Sequence, residues 1–366
     1  MTSPPTIAVV LASSEGRDAS LFTAAAELPN YRVVIITPRG SSSSPWPEDV
    51  DRLVLPAWNL TSHTSQWLVG LEGIINRLDA DLIHVHNEPW AWTAFRVCRT
   101  GRPFVIHSAE SVIAQAPVPY RFRRLGYRRV LRRASGHVTW GATGLSEWAR
   151  VAPSSAPSAI ICGSPPPENV FLPVPWERHP GPLRLLFVGR LIEQKGVLDL
   201  IEAVRLLNAR TPRVSLTVMG KGPASRDIRA AVAAAELGTQ VRLVPWGQGP
   251  DVHSQMAQSD LLVVPSKPTA QNREQWGRVV VEAMMTGRPT LVSDCGELPQ
   301  MVPDTSWTFQ AGDALDLARR IESIIDSNDW LPRNSSLALT WGERFTPTSQ
   351  VRVLDRFWQD VLSSRG

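Results

Sequence analysis

Short, nearly continuous apolar runs alternate along this chain with longer stretches in which apolar residues recur at helical spacing. Strands that are apolar on both faces are typical of parallel sheets covered by helices. Each half of the chain therefore predicts its own doubly wound α/β domain. The apolar runs are IAVVLA, RVVIIT, LIHVH, PFVIHS, GHVTW and AIICG in the first half, then RLLFVG, SLTVMG, VRLVPW, LLVVPS and PTLVSD in the second.

The boundary between the halves is predicted where prolines cluster, in residues 166–182 (PPENVFLPVPWERHPGP). Proline fixes φ and lacks an amide hydrogen, so this stretch forms neither a long helix nor a central strand. We expect an N-terminal domain over residues 1–165, a linker over 166–182, a second domain over 183–345 and a terminal amphipathic helix over 346–366. The apolar positions of that helix are Val351, Leu354, Phe357, Trp358 and Val361.

Composition supports two globular domains and excludes several other classes. The chain has 366 residues, of which 43% are hydrophobic, and a net charge of +4, which does not mark a nucleic-acid binder. Its three cysteines lie far apart, so neither a disulfide framework nor a zinc site is predicted. The short first apolar run has no basic flank and predicts a strand, not a signal peptide. A cytoplasmic protein is expected, at most attached to the inner face of a membrane.

The stretch LLFVGRLIEQKG contains the first candidate site. A strand is predicted to end at Val188, with a turn at Gly189 and a helix starting near Gly196. Arg190 and Lys195 would then stand with a helix N-terminus at the carboxyl end of a strand, an arrangement suited to a diphosphate. A surface basic pair on a connecting loop is the other interpretation.

The stretch REQWGRVVVEAMMTG contains two glutamates, Glu274 and Glu282, after a strand predicted to end at Ser266. The helix GRVVVEAMMTG is predicted to end at Gly287. Eight helical positions turn by roughly 800°, about 80° off register, so the two carboxylates could not touch. We expect Glu274 before the helix and Glu282 in its second turn, on different parts of an extended ligand. A dipole-stabilised carboxylate plus one solvated glutamate is the alternative.

Together, these two stretches resemble the retaining, nucleotide-sugar-dependent glycosyltransferases of family 4. The resemblance runs from Leu183 to about Val302 and, more loosely, through the first half. It implies the GT-B architecture: two facing Rossmann-like domains with a cleft between them and a C-terminal helix that packs back on the N-terminal domain.

The resemblance also implies roles for residues of the second half. Arg190 and Lys195 stand where the family grips the donor diphosphate, Glu274 where it holds the transferred sugar, and Glu282 where it binds the ribose. Backbone groups after the strands would meet the sugar, phosphate and nucleotide. These further donor-side positions are Gly189, Gly220, Trp276, Gly277, Arg278 and Val279.

In the first half, Gly16 of SSEGRD stands where the family has a glycine-rich loop near phosphate or acceptor. The triplet His86, Asn87 and Glu88 resembles the acceptor-side strand end, although a loop histidine with structural hydrogen bonds is an equal interpretation of His86. His107 stands where many members have a histidine near the donor sugar. With Arg190, Lys195 and Glu274, it completes the predicted catalytic set.

No metal or cofactor is expected. Asp79 and Asp81 form a DxD pattern, but it precedes a strand and therefore predicts a turn away from the ligand edge.

An arginine-rich stretch lies at residues 120–137, interrupted by Phe122, Leu125, Val130 and Leu131. It is compatible with a membrane surface, an anionic acceptor, or a solvated helix packed on the sheet. Its arginines are Arg121, Arg123, Arg124, Arg128, Arg129, Arg132 and Arg133.

The expected reaction is transfer of a hexose-type sugar, with retention, from a nucleoside diphosphate donor to a hydroxyl of a glycan, lipid-linked or small-molecule acceptor. A UDP-sugar is favoured, with GDP- and TDP-sugars as alternatives. Two other functions stay open, a catalytically silent nucleotide-sugar-binding protein and a nucleotide-sugar epimerase on the same architecture. The sequence does not indicate an oligomeric state.

Overall fold

A computed structural model describes residues 3–11, 19–39, 46–59, 66–109, 127–153, 155–269 and 273–364. The chain forms two compact units. Unit 1 comprises Met1–Pro165 together with Pro347–Gly366, and unit 2 comprises Pro166–Thr346. Residues 166–182 contain no helix or strand and belong to unit 2.

Unit 1 contains a seven-stranded sheet in the order β3-β2-β1-β6-β7-β8-β9, in which every neighbouring pair is parallel, and a separate antiparallel pair, β4-β5. The strands are β1 (Thr6–Leu11), β2 (Arg32–Pro38), β3 (Arg52–Leu55), β4 (Ala57–Asn59), β5 (Gln66–Leu68), β6 (Leu82–His86), β7 (Phe104–Ser108), β8 (Gly136–Thr139) and β9 (Ser158–Ile160). Its helices are α1 (Ala19–Ala26), α2 (Leu71–Leu78), α3 (Trp92–Arg99), α4 (described over 127–133) and α5 (Ala142–Ala149).

Unit 2 contains a six-stranded parallel sheet in the order β12-β11-β10-β13-β14-β15. Its strands are β10 (Leu183–Arg190), β11 (Val214–Lys221), β12 (Val241–Val244), β13 (Leu261–Val264), β14 (Thr290–Ser293) and β15 (Thr308–Phe309). Its helices are α6 (Val197–Leu207), α7 (Ser225–Ala234), α8 (Gly249–Ala257), α9 (Arg278–Met285), α10 (Leu298–Met301), α11 (Ala314–Asp326) and α12 (Trp330–Gly342).

Alternation along the central strands builds a core on each face of each sheet. In β10, Leu185 and Phe187 belong to the apolar cluster that includes α6 and α11. Leu186 and Val188 belong to the opposite cluster, with α9. Successive strand side chains point to opposite faces, so a strand covered on both sides must be apolar throughout. This explains why the predicted apolar runs are continuous.

The last helix, α13 (Pro347–Ser363), returns to unit 1 and packs against α1. All five of its predicted apolar positions are buried, and the Trp358 indole meets the Tyr31 ring edge-on at 5.5 Å. The predicted fold class is therefore confirmed, with a Rossmann-like parallel sheet in each domain and the terminal helix on the N-terminal one. Among the described helices, none combines the length and apolar character needed to cross a membrane.

Two predicted strand ends in unit 2 are wrong by two residues. β10 continues past Val188 and pairs Gly189 with Gly220 and Arg190 with Lys221. A Cβ on Gly220 would lie 2.1 Å from the Gly189 carbonyl oxygen, so the close pairing requires glycine there. β13 ends at Val264, before Pro265, because proline has no amide to continue the ladder.

Candidate functional site

The turn into α6 brings Lys195 to the carboxyl end of β13. A 3-10 segment, Glu193–Lys195, precedes Gly196, which has φ 65° and forms the N-cap of α6. A Cβ on Gly196 would lie 1.8 Å from the Pro265 carbonyl oxygen. Glycine is required there both by the left-handed conformation and by the contact. The helix start predicted near Gly196 is confirmed.

Lys195 and Glu274, predicted separately from two motifs, form an ion pair. The Lys195 Nζ lies 2.5 Å from the Glu274 Oε2, and the Ser266 hydroxyl donates to the same oxygen at 2.8 Å. The two charged side chains are 21% and 15% exposed, so the pair is half-sheltered yet reachable from solvent. The Ser293 hydroxyl in turn donates to the Ser266 carbonyl at 2.5 Å. Lys195 and Ser266, which follow the neighbouring strands β10 and β13, thus hold one carboxylate in place, and Ser293 at the end of β14 supports Ser266.

The Glu274 backbone is held by a hydrogen bond and a close glycine contact. The Glu297 amide donates to the Glu274 carbonyl at 2.9 Å. Gly296, with φ 63°, packs so closely that a Cβ would lie 2.1 Å from the same carbonyl oxygen. The approach to α9 is therefore set by the turn that follows β14, and Glu274 precedes the helix as predicted.

Glu282 lies in the second turn of α9, also as predicted, and pairs with Arg278. The Arg278 Nε donates to the Glu282 Oε1 at 2.8 Å, across one helical turn. Burial raises the pKa of the Glu282 carboxyl above its usual 4.5, and the neighbouring guanidinium offsets part of this rise. Glu282 is therefore a sheltered acceptor whose second oxygen is not used by Arg278.

The opening of α9 is partly occupied by protein groups. The Gly277 amide donates to the Met301 sulfur at 3.2 Å. Arg278 and Val279 lie in the first turn, where amides lack intrahelical acceptors. Trp276 packs edge-on against Phe345 at 5.6 Å, and its indole nitrogen is buried without a hydrogen-bond partner among the described residues.

Arg190 lies at the end of β10 and is exposed. Within the described part of the chain it has no ion pair or side-chain hydrogen bond. Gly189 and Gly220 lie beside it in the paired ends of β10 and β11. Gly220 is therefore required by the close pairing of these strand ends, while Arg190 is a cation that no described carboxylate neutralises.

In unit 1, His86, Asn87 and Glu88 lie at and just beyond the carboxyl end of β6, and all three are buried. The Glu88 carboxylate accepts hydrogen bonds from the Ser108 hydroxyl and, at 3.0 Å, from the Ala109 amide. Glu88 therefore ties the end of β6 to the end of β7, a structural task that the sequence did not predict.

His107 lies near the carboxyl end of β7, and its ring centroid is 4.4 Å from that of His86. Burial lowers the pKa of His107 well below 6.5, and the neighbouring His86 and His84 lower it further. The Ile161 backbone opposes part of this shift without completing a hydrogen bond to Nε2. His107 is thus a buried, neutral imidazole at the ligand edge of its sheet.

The remaining predicted positions lie outside the described residues or away from the ligand edge of the sheets. Gly16, like Arg121, Arg123 and Arg124, lies outside the described residues. Asp79 and Asp81 lie in the turn before β6, at its amino end, where Asp81 accepts from the Thr6 amide at 2.7 Å. Among the described residues, no cluster of three or more His, Cys, Asp or Glu side chains could hold a metal ion.

The described part of the arginine-rich stretch belongs to α4. Val130 and Leu131 are fully buried in the unit 1 core. The apolar face of this part of the helix therefore packs on the sheet and only its charged face is exposed. The exposed arginines are Arg128, Arg129, Arg132 and Arg133.

The sequence did not predict a functional role for three residues, namely Ser266, His84 and Trp358. Ser266 follows β13 by two residues, and a hydroxyl after a parallel strand is a signal that the sequence offered. His84 lies inside an apolar run and Trp358 at a core position of an amphipathic helix, so no sequence pattern separates either from ordinary core.

Comparison with known proteins agrees with this geometry. Residues 19–153 match the family model of the glycosyl transferase 4-like domain, and residues 173–338 match that of glycosyl transferases group 1. The amylovoran biosynthesis glycosyltransferase AmsK of Erwinia amylovora is 30% identical over 140 residues, which are 37% of this chain and 34% of AmsK. An uncharacterized glycosyltransferase of Bacillus subtilis, YqgM, is 26% identical over 64% of this chain and 67% of its own.

Among solved structures, HepE of Anabaena in complex with UDP superposes with a TM-score of 0.73 at 14% identity, covering 97% of this chain and 99% of HepE. At 14% identity, the similarity to HepE shows the fold alone. The match to AmsK spans about a third of the length of AmsK. The two halves of the chain are therefore similar to two glycosyl transferase domain families, 4-like in the first half and group 1 in the second, and the fold is GT-B.

Proposed function

We propose that this chain is a retaining glycosyltransferase that moves a hexose-type sugar from a nucleoside diphosphate donor to an acceptor hydroxyl. The observation that carries the proposal is the convergence of Lys195 and Glu274, with Ser266, at the carboxyl edge of the unit 2 sheet beside the N-terminus of α6. Ligands of open α/β sheets bind at that edge.

The charge of the donor explains why cations stand here. Departure of a diphosphate concentrates negative charge on the leaving oxygens, and cations with a helix N-terminus stabilise it. Arg190 is exposed and unneutralised within the described residues, and Lys195 is held nearby by a carboxylate. Loss of one such contact costs roughly 2 to 4 kcal/mol, or about 10² to 10³ in rate.

The two glutamates act as binding groups in this proposal. Glu274 accepts hydroxyls of the transferred sugar, with Lys195 and Ser266 fixing its orientation. Glu282 accepts the ribose hydroxyls, and Arg278 holds one of its oxygens. No enzyme carboxylate serves as nucleophile. The acceptor hydroxyl attacks from the face that the phosphate is leaving, and that phosphate takes its proton.

A UDP-sugar is the favoured donor, and the complex of the similarly folded HepE with UDP supports this choice. GDP- and TDP-sugars are the alternatives. The acceptor is a hydroxyl of a glycan, a lipid-linked sugar or a small molecule. The chemistry as proposed needs no metal ion, because protein cations balance the diphosphate.

A thermal-shift screen against UDP-, GDP-, TDP- and ADP-sugars in EDTA tests the donor. A ligand at 100 times its dissociation constant adds about 2.7 kcal/mol to the free energy of unfolding. Slow hydrolysis of the stabilising nucleotide-sugar without acceptor would then establish turnover. Binding without hydrolysis or transfer would favour a silent binder, and a strict requirement for divalent metal would overturn the metal-independent mechanism.

A further inference from the structure

Three buried side chains of unit 1 form a hydrogen-bonded chain from the terminal helix to the ligand edge of the sheet. The Trp358 Nε1 lies 3.1 Å from the His84 Nδ1, and the His84 Nε2 lies 3.1 Å from the His107 Nδ1. None of the three is more than 1% exposed. Residues from α13, β6 and β7 are thereby connected.

The chemistry of the first donor fixes the direction of the whole chain. An indole nitrogen can only donate, so the His84 Nδ1 must accept. A neutral imidazole has one donor and one acceptor, so the His84 Nε2 carries the proton and donates to the His107 Nδ1. The His107 Nδ1 is then an acceptor, and its proton lies on Nε2.

The surroundings keep both rings neutral and oriented. Phe22 meets His84 and His107 with ring-centroid distances of 5.3 and 6.4 Å, and Trp358 meets His84 at 5.8 Å, all edge-on. A buried imidazolium there would lack a carboxylate partner among these groups, which is costly. Burial lowers the pKa of His84, as it does that of His107, well below 6.5.

We propose that Trp358 is a positioning residue which, through His84, fixes His107 in the Nε2–H tautomer and so as a hydrogen-bond donor at the carboxyl end of β7. The His107 Nε2 has no hydrogen-bond partner among the described residues. A buried donor in that state gains most from a ligand oxygen. Its catalytic consequence rests on the proposed function, in which a sugar hydroxyl or phosphate oxygen accepts this bond.

Nitrogen-15 NMR of the full chain, labelled at histidine, reads the tautomers directly. Long-range proton–nitrogen correlations are expected to show Nε2–H for His84 and His107, assigned by loss of signals in His84→Gln and His107→Gln. Protonation of the His107 Nδ1 in the unsubstituted protein would overturn the proposal.

Trp358→Phe removes the indole donor and keeps an aromatic ring. His84 is expected to change to a mixture of tautomers and His107 to follow it. Trp148→Phe is the matched control, because Trp148 is equally buried in unit 1 and its indole nitrogen has no hydrogen-bond partner among the described residues. Unchanged tautomers in Trp358→Phe, or the same change in both variants, would overturn the proposal.

Kinetics give a readout that a packing role would not move. With a nucleotide-sugar substrate, Trp358→Phe is expected to lower kcat about threefold to tenfold at an unchanged acceptor KM, relative to Trp148→Phe. His84→Gln keeps an N–H donor towards His107 and is expected to retain more activity than His84→Leu. Equal losses of activity in His84→Gln and His84→Leu would contradict the proposal that His84 transmits the effect of Trp358 to His107. The tautomer spectra need no substrate, so an inactive protein would refute the proposed function without touching this inference.

Discussion

The carboxyl edges of the two sheets have the same topology and opposite chemistry. In unit 2, the edge holds charged groups that are partly or fully exposed, namely Lys195 with Glu274, and Arg190, which has no ion pair with any residue the structure describes. In unit 1, His86 and His107 at the corresponding edge are buried, and the Glu88 carboxylate is tied to the neighbouring strand end.

This difference indicates a division of labour between two similar scaffolds. A charged, accessible edge can balance the charge of a diphosphate, while a buried edge built from imidazoles and an already hydrogen-bonded carboxylate is suited to hydrogen bonds of fixed direction. We infer that the donor charge is handled by unit 2 alone. In the proposed function, the buried edge of unit 1 contributes hydrogen bonds and faces the acceptor.

The largest expected effect is on turnover and comes from the charged edge. Lys195→Ala is expected to lower kcat by about 10² to 10³, because one cation facing the leaving oxygens is lost. Lys267→Ala is a matched control. Lys267 is 29% exposed and pairs with Asp199 at 3.1 Å, and in the described part of the chain no ion pair joins it to Glu274. Kinetics and denaturant unfolding of both variants provide the test, and equal losses of turnover in the two would contradict a specific clamp.

The fold followed from sequence wherever strands are apolar on both faces. All eleven apolar runs are strands. β3, with the sequence RLVL, was missed because it lies at the edge of the sheet and is mostly half-exposed, so its apolar run is short. β15 has two residues, too few for any period to register.

The sequence named candidate site residues one at a time, but it could not predict which of them form pairs. Lys195 and Glu274 are separated by 79 positions in the sequence. They meet because Gly196 packs against the Pro265 carbonyl and Gly296 packs against the Glu274 carbonyl. Sequence spacing contains no such long-range distance. The direction of the Trp358–His84–His107 chain likewise depends on three elements packing together, which helical or strand periodicity reports only as burial.

The next effect in size is on stability and comes from the buried edge of unit 1. Glu88→Leu leaves the Ser108 hydroxyl and the Ala109 amide without this carboxylate, so a loss of about 1 to 3 kcal/mol in the free energy of unfolding is expected. Glu274→Leu is expected to cost less than Glu88→Leu, because Lys195 is 21% exposed and its ammonium group can turn to solvent. Urea unfolding measures both, and the reverse order would break the comparison.

A smaller effect concerns pH and the sheltered Glu282. Because burial raises its pKa above 4.5, this carboxyl takes up its proton at a higher pH than an exposed glutamate. Donor affinity is therefore expected to weaken several-fold as pH falls through the raised value, since the ionised form is the stronger acceptor of ribose hydroxyls. Isothermal titration of the donor across this range is the measurement.

The contribution of Glu282 to the free energy of unfolding changes with pH in the opposite direction to its contribution to donor affinity. Stability from the protonated Glu282 is fully present below 4.5 and is lost as pH rises through the raised folded-state pKa. Glu282→Gln should flatten both profiles, in binding and in unfolding. A donor-affinity profile that keeps its slope in Glu282→Gln would assign the pH dependence to another group.

The smallest expected effect is a difference in salt dependence between the KM of the donor and the KM of the acceptor. Between about 0.05 and about 0.5 M salt, the screening length falls from roughly 14 to roughly 4 Å, so attraction between the exposed Arg190 and a diphosphate weakens. The donor KM is expected to rise about threefold, while the KM of an uncharged acceptor stays within about 1.5-fold, because His86 and His107 are buried and salt screens exposed charges most. Arg190→Gln should remove part of the donor's salt dependence and leave the acceptor unchanged. If the KM of the uncharged acceptor depended on salt more strongly than the KM of the donor, exposed charge would act at the unit 1 edge. The distinction between the two domains would then be wrong.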